Sequence, residues 1–204
     1  MANKDHSLDE KIIEAARNEF LEVGYRNASM RKIAARAGIT TGALYTRYEN
    51  KDVLFASLVY ETGLLFEKEF SALKPEHYRI AIREGKFSQL TAHEAGKILD
   101  IIYDHFDECY LLFCCSEGST AEKYYPLLVR SKAKQTARFM NANGMAIPVE
   151  TVEMLMAAQY SYYIEVLKRK YTKQQATELI RNVMTFSDAG WLALIVTVQT
   201  LTGK

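Results

Sequence analysis

Four times along this 204-residue chain, a Ser or Thr stands three residues ahead of a Glu or Gln at the head of an apolar repeat: Ser7–Glu10, Thr91–Glu94, Ser119–Glu122 and Thr172–Gln175. In that spacing the hydroxyl accepts from the third amide of a helix, and the longer side chain returns to the cap amide. Behind Ser7, residues Ile12, Ile13, Ala16, Phe20 and Val23 recur at three- or four-residue intervals, with Gly24 following as a helix-ending glycine. Ser29 opens a short second helix to Arg36, Thr40 caps a third through Tyr48, and Asn50 caps a long fourth carrying Leu54, Phe55, Leu58, Val59, Leu65, Phe66 and Phe70. Pro75 and Gly85 bound a short fifth, while Asn143-Gly144 and Pro148 divide two of the later ones. No Val/Ile/Thr alternation flanked by hairpin turns competes with this pattern. The expectation is an all-α chain of roughly nine helices.

Overall charge nearly cancels, 26 Lys and Arg against 25 Asp and Glu, but its distribution is uneven. Residues 1–24 carry a net −3. Residues 25–51 hold Arg26, Arg31, Lys32, Arg36, Arg47 and Lys51 against Glu49 alone, a net +5. A local basic patch of this kind is the footprint expected for phosphate contact. The same segment meets the demands of a helix-turn-helix. Ala34 is small where two helices approach, Gly38 sits where the turn needs a left-handed backbone, and Ile33, Ile39 and Leu44 face inward. The helix from Thr40 to Tyr48 offers Thr41, Gly42, Ala43, Tyr45 and Thr46, small or hydrogen-bonding groups suited to base edges in a major groove. Arg31 and Lys51 lie in first turns, where the helix dipole disfavours a cation, and this points both towards phosphate.

The run Ile13-x-Ala15-Ala16-x3-Phe20-x3-Gly24-Tyr25, followed by Ile33-Ala34-x2-Ala37-Gly38-Ile39-Thr40-x-Gly42-x-Leu44-Tyr45-x2-Tyr48-x2-Lys51-x2-Leu54, resembles the N-terminal domain of TetR/AcrR-family transcriptional regulators. The resemblance implies an all-α homodimer that binds a palindromic operator in double-stranded DNA, usually as a repressor released by a small molecule. It carries DNA-contacting roles onto Arg31, Thr41, Gly42, Ala43, Tyr45, Arg47 and Lys51, and Thr40 and Thr46 on the same helix complete the expected set. Tyr48 stands where the family usually has Phe, and Arg47 where His or Tyr is common. The implied division is a DNA-binding domain over residues 1–52 and a helical effector-binding and dimerisation domain over 53–204.

In that second domain, Val149, Val152, Met156, Tyr160, Tyr163 and Leu167 form one stripe, and the final helix is apolar nearly all round. Burial against a second copy is the economical solution for such a helix. Val152, Met156, Tyr160, Val183, Trp191, Leu194, Ile195 and Val198 are the expected interface. Tyrosines and phenylalanines in a helical bundle supply apolar area and orienting hydroxyls, making Phe66, Tyr103, Phe106, Tyr110, Phe139 and Tyr163 candidates for a ligand pocket. The expected effector is small and largely apolar or aromatic.

Asp100, Asp104 and Asp107 read as the wet side of an amphipathic helix rather than a metal site, and no cofactor is expected. Cys109, Cys114 and Cys115 are an odd number within seven residues, which speaks for a reducing compartment and fits no zinc spacing. No nucleophile-elbow, zinc-protease or phosphate-loop motif is present, so an enzyme is not expected. The N-terminal MANKDHSLDE has no apolar core, and the longest near-continuous apolar run, Ala189–Val198, falls short of the roughly 20 residues a spanning helix needs. A cytoplasmic protein is the expectation. A DNA-binding dimer that senses nothing, and a redox- or metal-responsive regulator using the three cysteines, remain as alternatives.

Overall fold

The computed structural model describes residues 6–72, 74–142, 144 and 147–202, with the side chains of His6, Pro75 and 197–202 outside the description. Among the described residues the fold is all-α, without strands: α1 His6–Asn27, α2 Met30–Arg36, α3 Thr41–Arg47, α4 Lys51–Ala72, α5 Pro75–Arg83, α6 Phe87–Asp104, α7 Phe106–Cys114, α8 Tyr124–Ala142, α9 Val149–Lys168 and α10 Lys173–Thr202. A single 3-10 turn, Thr120–Lys123, precedes α8.

Several boundaries follow the cap chemistry. Thr40 accepts from the Ala43 amide at 3.1 Å, and Asn50 accepts from Val53 at 2.9 Å. Thr172 and Gln175 exchange bonds in both directions, a complete capping box. Gly24 interrupts α1 with φ 71 and ψ 165, a region that glycine alone occupies readily. Other boundaries depart from expectation. α1 starts at His6, ahead of Ser7. Thr91 lies inside α6, its hydroxyl committed to Asp188 at 2.7 Å rather than to a cap. The helix expected from Thr91 to Cys115 breaks at His105, whose φ −134 and ψ 47 are not helical. Glu122 accepts from the Gly118 amide, so the Ser119 box does not close, and α8 begins only at Tyr124. Asn143 lies outside the described residues; Gly144 beside it has φ 80.

The chain divides into two compact units, one of residues up to Leu64 with His105–Tyr124, the other of Leu65–Asp104 with the residues from Tyr125 onward. The first is wider than the segment 1–52. Its core joins Ile12, Ala16 and Phe20 of α1, Ile33 of α2, Leu44 of α3 and Leu54 and Phe55 of α4 to Leu111 and Leu112 of α7. Phe20, Tyr25 and Phe55 meet as one aromatic cluster, with Phe20 and Phe55 edge-on at 5.0 Å. In the second unit α10 packs against α6 and α9, and Ala133, Ala137 and Met140 of α8 gather with Ile147, Val152 and Ile195. The 24 residues Lys173–Val196 of α10 are long and apolar enough by composition to cross a membrane. One side of this helix nonetheless seats the buried Asp188 against α6.

Candidate nucleic-acid interface and ligand cavity

α2 and α3 are held at a fixed crossing by few atoms. Met30, Ile33 and Ala34 bury the inner side of α2, and Leu44, fully buried, pins α3. Between them Gly38 takes φ 70, and the Ile39 amide returns to the Ala34 carbonyl at 3.0 Å. A Cβ at Gly38 would meet nothing within 4 Å, so the backbone conformation alone calls for glycine there. The outer side of α3 exposes Gly42, Tyr45 and Thr46, with Thr41 and Ala43 half-buried beside them. Thr46 donates to the Gly42 carbonyl at 3.0 Å and Thr40 is occupied as the cap. A Cβ at Gly42 would find only the Thr40 hydroxyl, at 4.0 Å. The fold therefore tolerates a side chain at position 42, and its bareness matters only to something that docks on α3.

The basic segment is largely neutralised by its own unit. Arg26 pairs with Glu117 at 2.6 Å; Arg36 pairs with Glu22 at 2.5 Å and approaches the buried Glu19 at 3.5 Å. That pairing holds Glu22 below the usual carboxylate range. Arg47 binds Asp9 of α1 at 2.9 Å. Lys51, expected at a phosphate, is turned inward: its ammonium donates to the carbonyls of Tyr25, Arg26 and Ala28 at 2.7, 3.3 and 3.0 Å and lies over the Tyr25 ring. With all three protons used, it closes the frayed end of α1 rather than pointing at a ligand. Arg31 and Lys32 remain exposed on α2, without a salt bridge among the described residues.

The second unit encloses a cavity of about 110 Å³. Its apolar walls come from Ile82, Phe87, Phe139, Met140, Met156, Tyr160, Trp191 and Ile195 of α5, α6, α8, α9 and α10. Polar groups enter from five helices, α5, α6, α8, α9 and α10. Tyr78 donates to Glu94 at 2.5 Å, and Lys132 donates to the Phe70 carbonyl at 2.8 Å while facing the Tyr78 ring. Trp191 donates its indole N–H to Gln159 at 3.0 Å. Asp188 accepts from Thr91 through Oδ2, but its buried Oδ1 has no hydrogen-bond partner. Burial pushes both carboxyls upward, Glu94 against the pull of Tyr78 and Lys132, and Asp188 against that of Thr91 and Ser88. Burial likewise depresses the Lys132 ammonium and raises the Tyr160 phenol well above its ordinary value.

Of the six aromatic candidates, Phe139 lines this cavity and Tyr163 a smaller one beside it. The others serve elsewhere. Phe66 is core, Tyr103 donates to the Tyr171 carbonyl, and Phe106 and Tyr110 stack on α7 in the first unit. The expected interface residues are also displaced inward: Val152 is fully buried in its own subunit, and Met156, Tyr160, Trp191 and Ile195 wall the cavity. Val183 and Leu194 are half-buried, and the side chain of Val198 lies outside the described residues. What α9 and α10 expose instead is Met154, Leu155, Leu179, Phe186 and Val196. Cys109 is wholly buried and its thiol is pushed up to about 12 by burial, which disfavours the reactive thiolate. No group of three or more metal-binding side chains occurs among the described residues.

Residues 12–58 match the family model of bacterial regulatory proteins, tetR family. No curated protein sequence matches the chain. Among solved structures, it is similar to NalD of Pseudomonas aeruginosa, the secondary repressor of the MexAB-OprM multidrug efflux pump (17% identity, 91% of this chain and 97% of that one, TM-score 0.57). A TetR-like transcriptional regulator from Rhodococcus sp. RHA1 superposes at TM-score 0.58, with 19% identity over 90% and 96% of the two chains. FadR of Bacillus subtilis, in complex with stearoyl-CoA, does so at 0.51, with 14% identity over 86% and 96%. The helix-turn-helix unit and the all-helical second unit define a DNA-binding transcription regulator. Residues 12–58 carry the DNA-binding domain of the tetR family of bacterial regulatory proteins, and the fold of the chain is that of TetR-like regulators.

Proposed function

We propose that the protein is a homodimeric repressor that binds a palindromic operator through α3, and that a small molecule in the cavity of the second unit alters its affinity for that operator. The observation that carries the DNA reading is the outer side of α3: Tyr45 stands half exposed beside a Gly42 that the fold itself does not require. Thr41, Ala43 and Thr46 flank them, a surface able to approach base edges closely. Thr40 contributes through its cap, which fixes the start of α3. Arg31 and Lys32 supply free charge for phosphate, and Arg47 joins them once it leaves Asp9. Lys51 acts only through the shape of the unit. The exposed stripe on α9 and α10 supports dimerisation. Repression and ligand capture both occur on this fold, in NalD and in FadR respectively.

Selection of bound fragments from a random duplex pool tests the reading. It should enrich a palindrome with half-sites about one helical turn, ~34–36 Å, apart or a little more, and Tyr45→Ala should lose the enrichment while keeping salt-sensitive binding to any duplex. A wild-type pool that stays random after repeated rounds overturns it.

A further inference from the structure

The cavity holds one unmet polar atom. Asp188 is 3% exposed, its Oδ2 accepts from Thr91, Ser88 also stands close to the carboxylate, and the buried Oδ1 has no partner at hydrogen-bond distance. The other two charged groups on the wall have partners: Glu94 accepts a hydrogen bond from Tyr78, and Lys132 donates to the Phe70 carbonyl. A buried acceptor left empty is costly, and a carboxylate more so than a neutral group, so a donor that arrives with positive charge gains most from meeting it. The same cavity is lined by Phe87, Phe139, Tyr160 and Trp191, whose rings can pack an aromatic body and, by their faces, attract an ammonium. Its volume limits the size: at about 110 Å³ it is smaller than the apolar cavity of about 150 Å³ that holds benzene, so the enclosed body is one ring at most.

Resting on the effector-cavity reading above, we propose that the ligand is a small amine, its ammonium bonded to Asp188 Oδ1 and its apolar body, about one ring in size, held among the aromatic side chains. A bare hydrocarbon chain would leave Oδ1 unpaired, and a carboxylate would set like charges together. Lys132 already has the Glu94 carboxylate as its opposite charge, with one N–H on the Phe70 carbonyl and the Tyr78 ring beside it, so an anion gains less there.

Trp191, the only tryptophan of the chain, lines the cavity and gives the readout. Three probes with the same aromatic body and different heads, 2-phenylethylamine, 2-phenylethanol and 3-phenylpropionate, are titrated against the full-length protein while its emission is followed. The amine should change the emission saturably and bind about tenfold or more tightly than either companion, the discrimination expected of one charge-assisted hydrogen bond. Asp188→Asn, which keeps an acceptor for Thr91, should bring the amine down to the level of the alcohol without lowering the melting temperature. The carboxylate binding most tightly would overturn the ligand class while leaving the cavity as an effector site. So would an Asp188→Asn variant that melts like wild type and binds the amine unchanged. Absence of any saturable response to all three up to about 10 mM would overturn the cavity reading as well. The duplex selection above is independent of either result, so failure of DNA recognition is seen separately.

Discussion

Lys51 and Arg47 show how far a side chain's role depends on what folds next to it. Arg47 ends the recognition helix and Lys51 follows it; the first-turn position marks Lys51 for phosphate, and the family resemblance gives Arg47 a DNA contact. The structure gives Lys51 three main-chain carbonyls at the end of α1 and gives Arg47 the Asp9 carboxylate. Lys51→Ala should therefore cost stability, about 1–3 kcal/mol for charge-assisted bonds lost at a half-buried site. Its salt dependence of DNA binding should stay as in wild type. A slope lowered by about one unit, measured on folded protein, would return Lys51 to the phosphate contacts. Asp9→Asn makes the opposite test. Releasing Arg47 from its ion pair should strengthen binding to every duplex and steepen the logarithmic salt dependence by up to about one unit. Unchanged slopes would mean that Arg47 reaches DNA in neither protein. The net +5 of residues 25–51 was legible as composition, but the pairing of Arg47, Arg36 and Arg26 with Asp9, Glu22 and Glu117 was not, because those acids stand 38, 14 and 91 residues away in sequence.

Among the helices, cap chemistry that closes locally was legible and chemistry that closes through space was not. Thr40, Asn50 and the Thr172–Gln175 pair cap as their spacing predicts. Thr91 has the same pattern, yet its hydroxyl serves Asp188 across the second unit, and α6 begins a turn earlier. The cavity was missed for a related reason. Helical spacing gives the side of a helix that is apolar, but the neighbour that side meets is a tertiary fact, so one aromatic candidate in six reached the main cavity. A usable signal did exist: Asp188 is the only charged residue in 182–203, and an acid in an otherwise apolar helix is either paired or functional. Its position leads to a pH dependence. Burial raises the Asp188 carboxyl above its ordinary 3.8, so the folded protein binds the proton more tightly than the unfolded chain. Stability contributed by this group is full at acid pH, falls as pH rises through that window, and is lowest once the carboxylate is fully charged. Glu94, raised from 4.5 despite Tyr78 and Lys132, acts in the same direction. Asp188→Asn should then raise the ligand-free melting temperature more at pH 8 than at pH 5, at about 2–4 °C per kcal/mol for a chain of this size. An equal change at both values would show that the carboxyl does not titrate between them, and would remove this group as a source of pH dependence.

For the whole molecule, α10 poses one physical problem with two solutions on its two sides. Its inner side closes the cavity through Asp188, Trp191 and Ile195. Its outer side places Leu179, Asn182, Phe186, Ala189, Ala193 and Val196 at alternating three- and four-residue intervals, all exposed, and α9 adds Met154 and Leu155. Phe186 is 77% and Met154 74% exposed. Large apolar groups exposed on two helices in this way suit the proposed homodimer, in which a second copy would bury them in a four-helix bundle with two-fold symmetry. Several of the residues expected at the interface are buried within their own subunit instead, because an all-round apolar helix does not reveal which side its own subunit takes. The two sides can be broken separately. Phe186→Arg should give a monomer that still binds phenylethylamine, since the substituted residue does not line the cavity. That monomer should lose operator affinity by orders of magnitude, because one recognition helix spans only half a palindrome, and should keep weak, salt-sensitive binding to any duplex. Ile195→Arg, by contrast, would place its charge in the subunit's own core and should unfold the second unit. Sedimentation equilibrium without DNA decides the matter. Wild type at micromolar concentration should run at twice the 23.3 kDa of the chain, and a wild type at single-chain mass would remove the two-fold axis, and with it the physical reason for a palindromic operator.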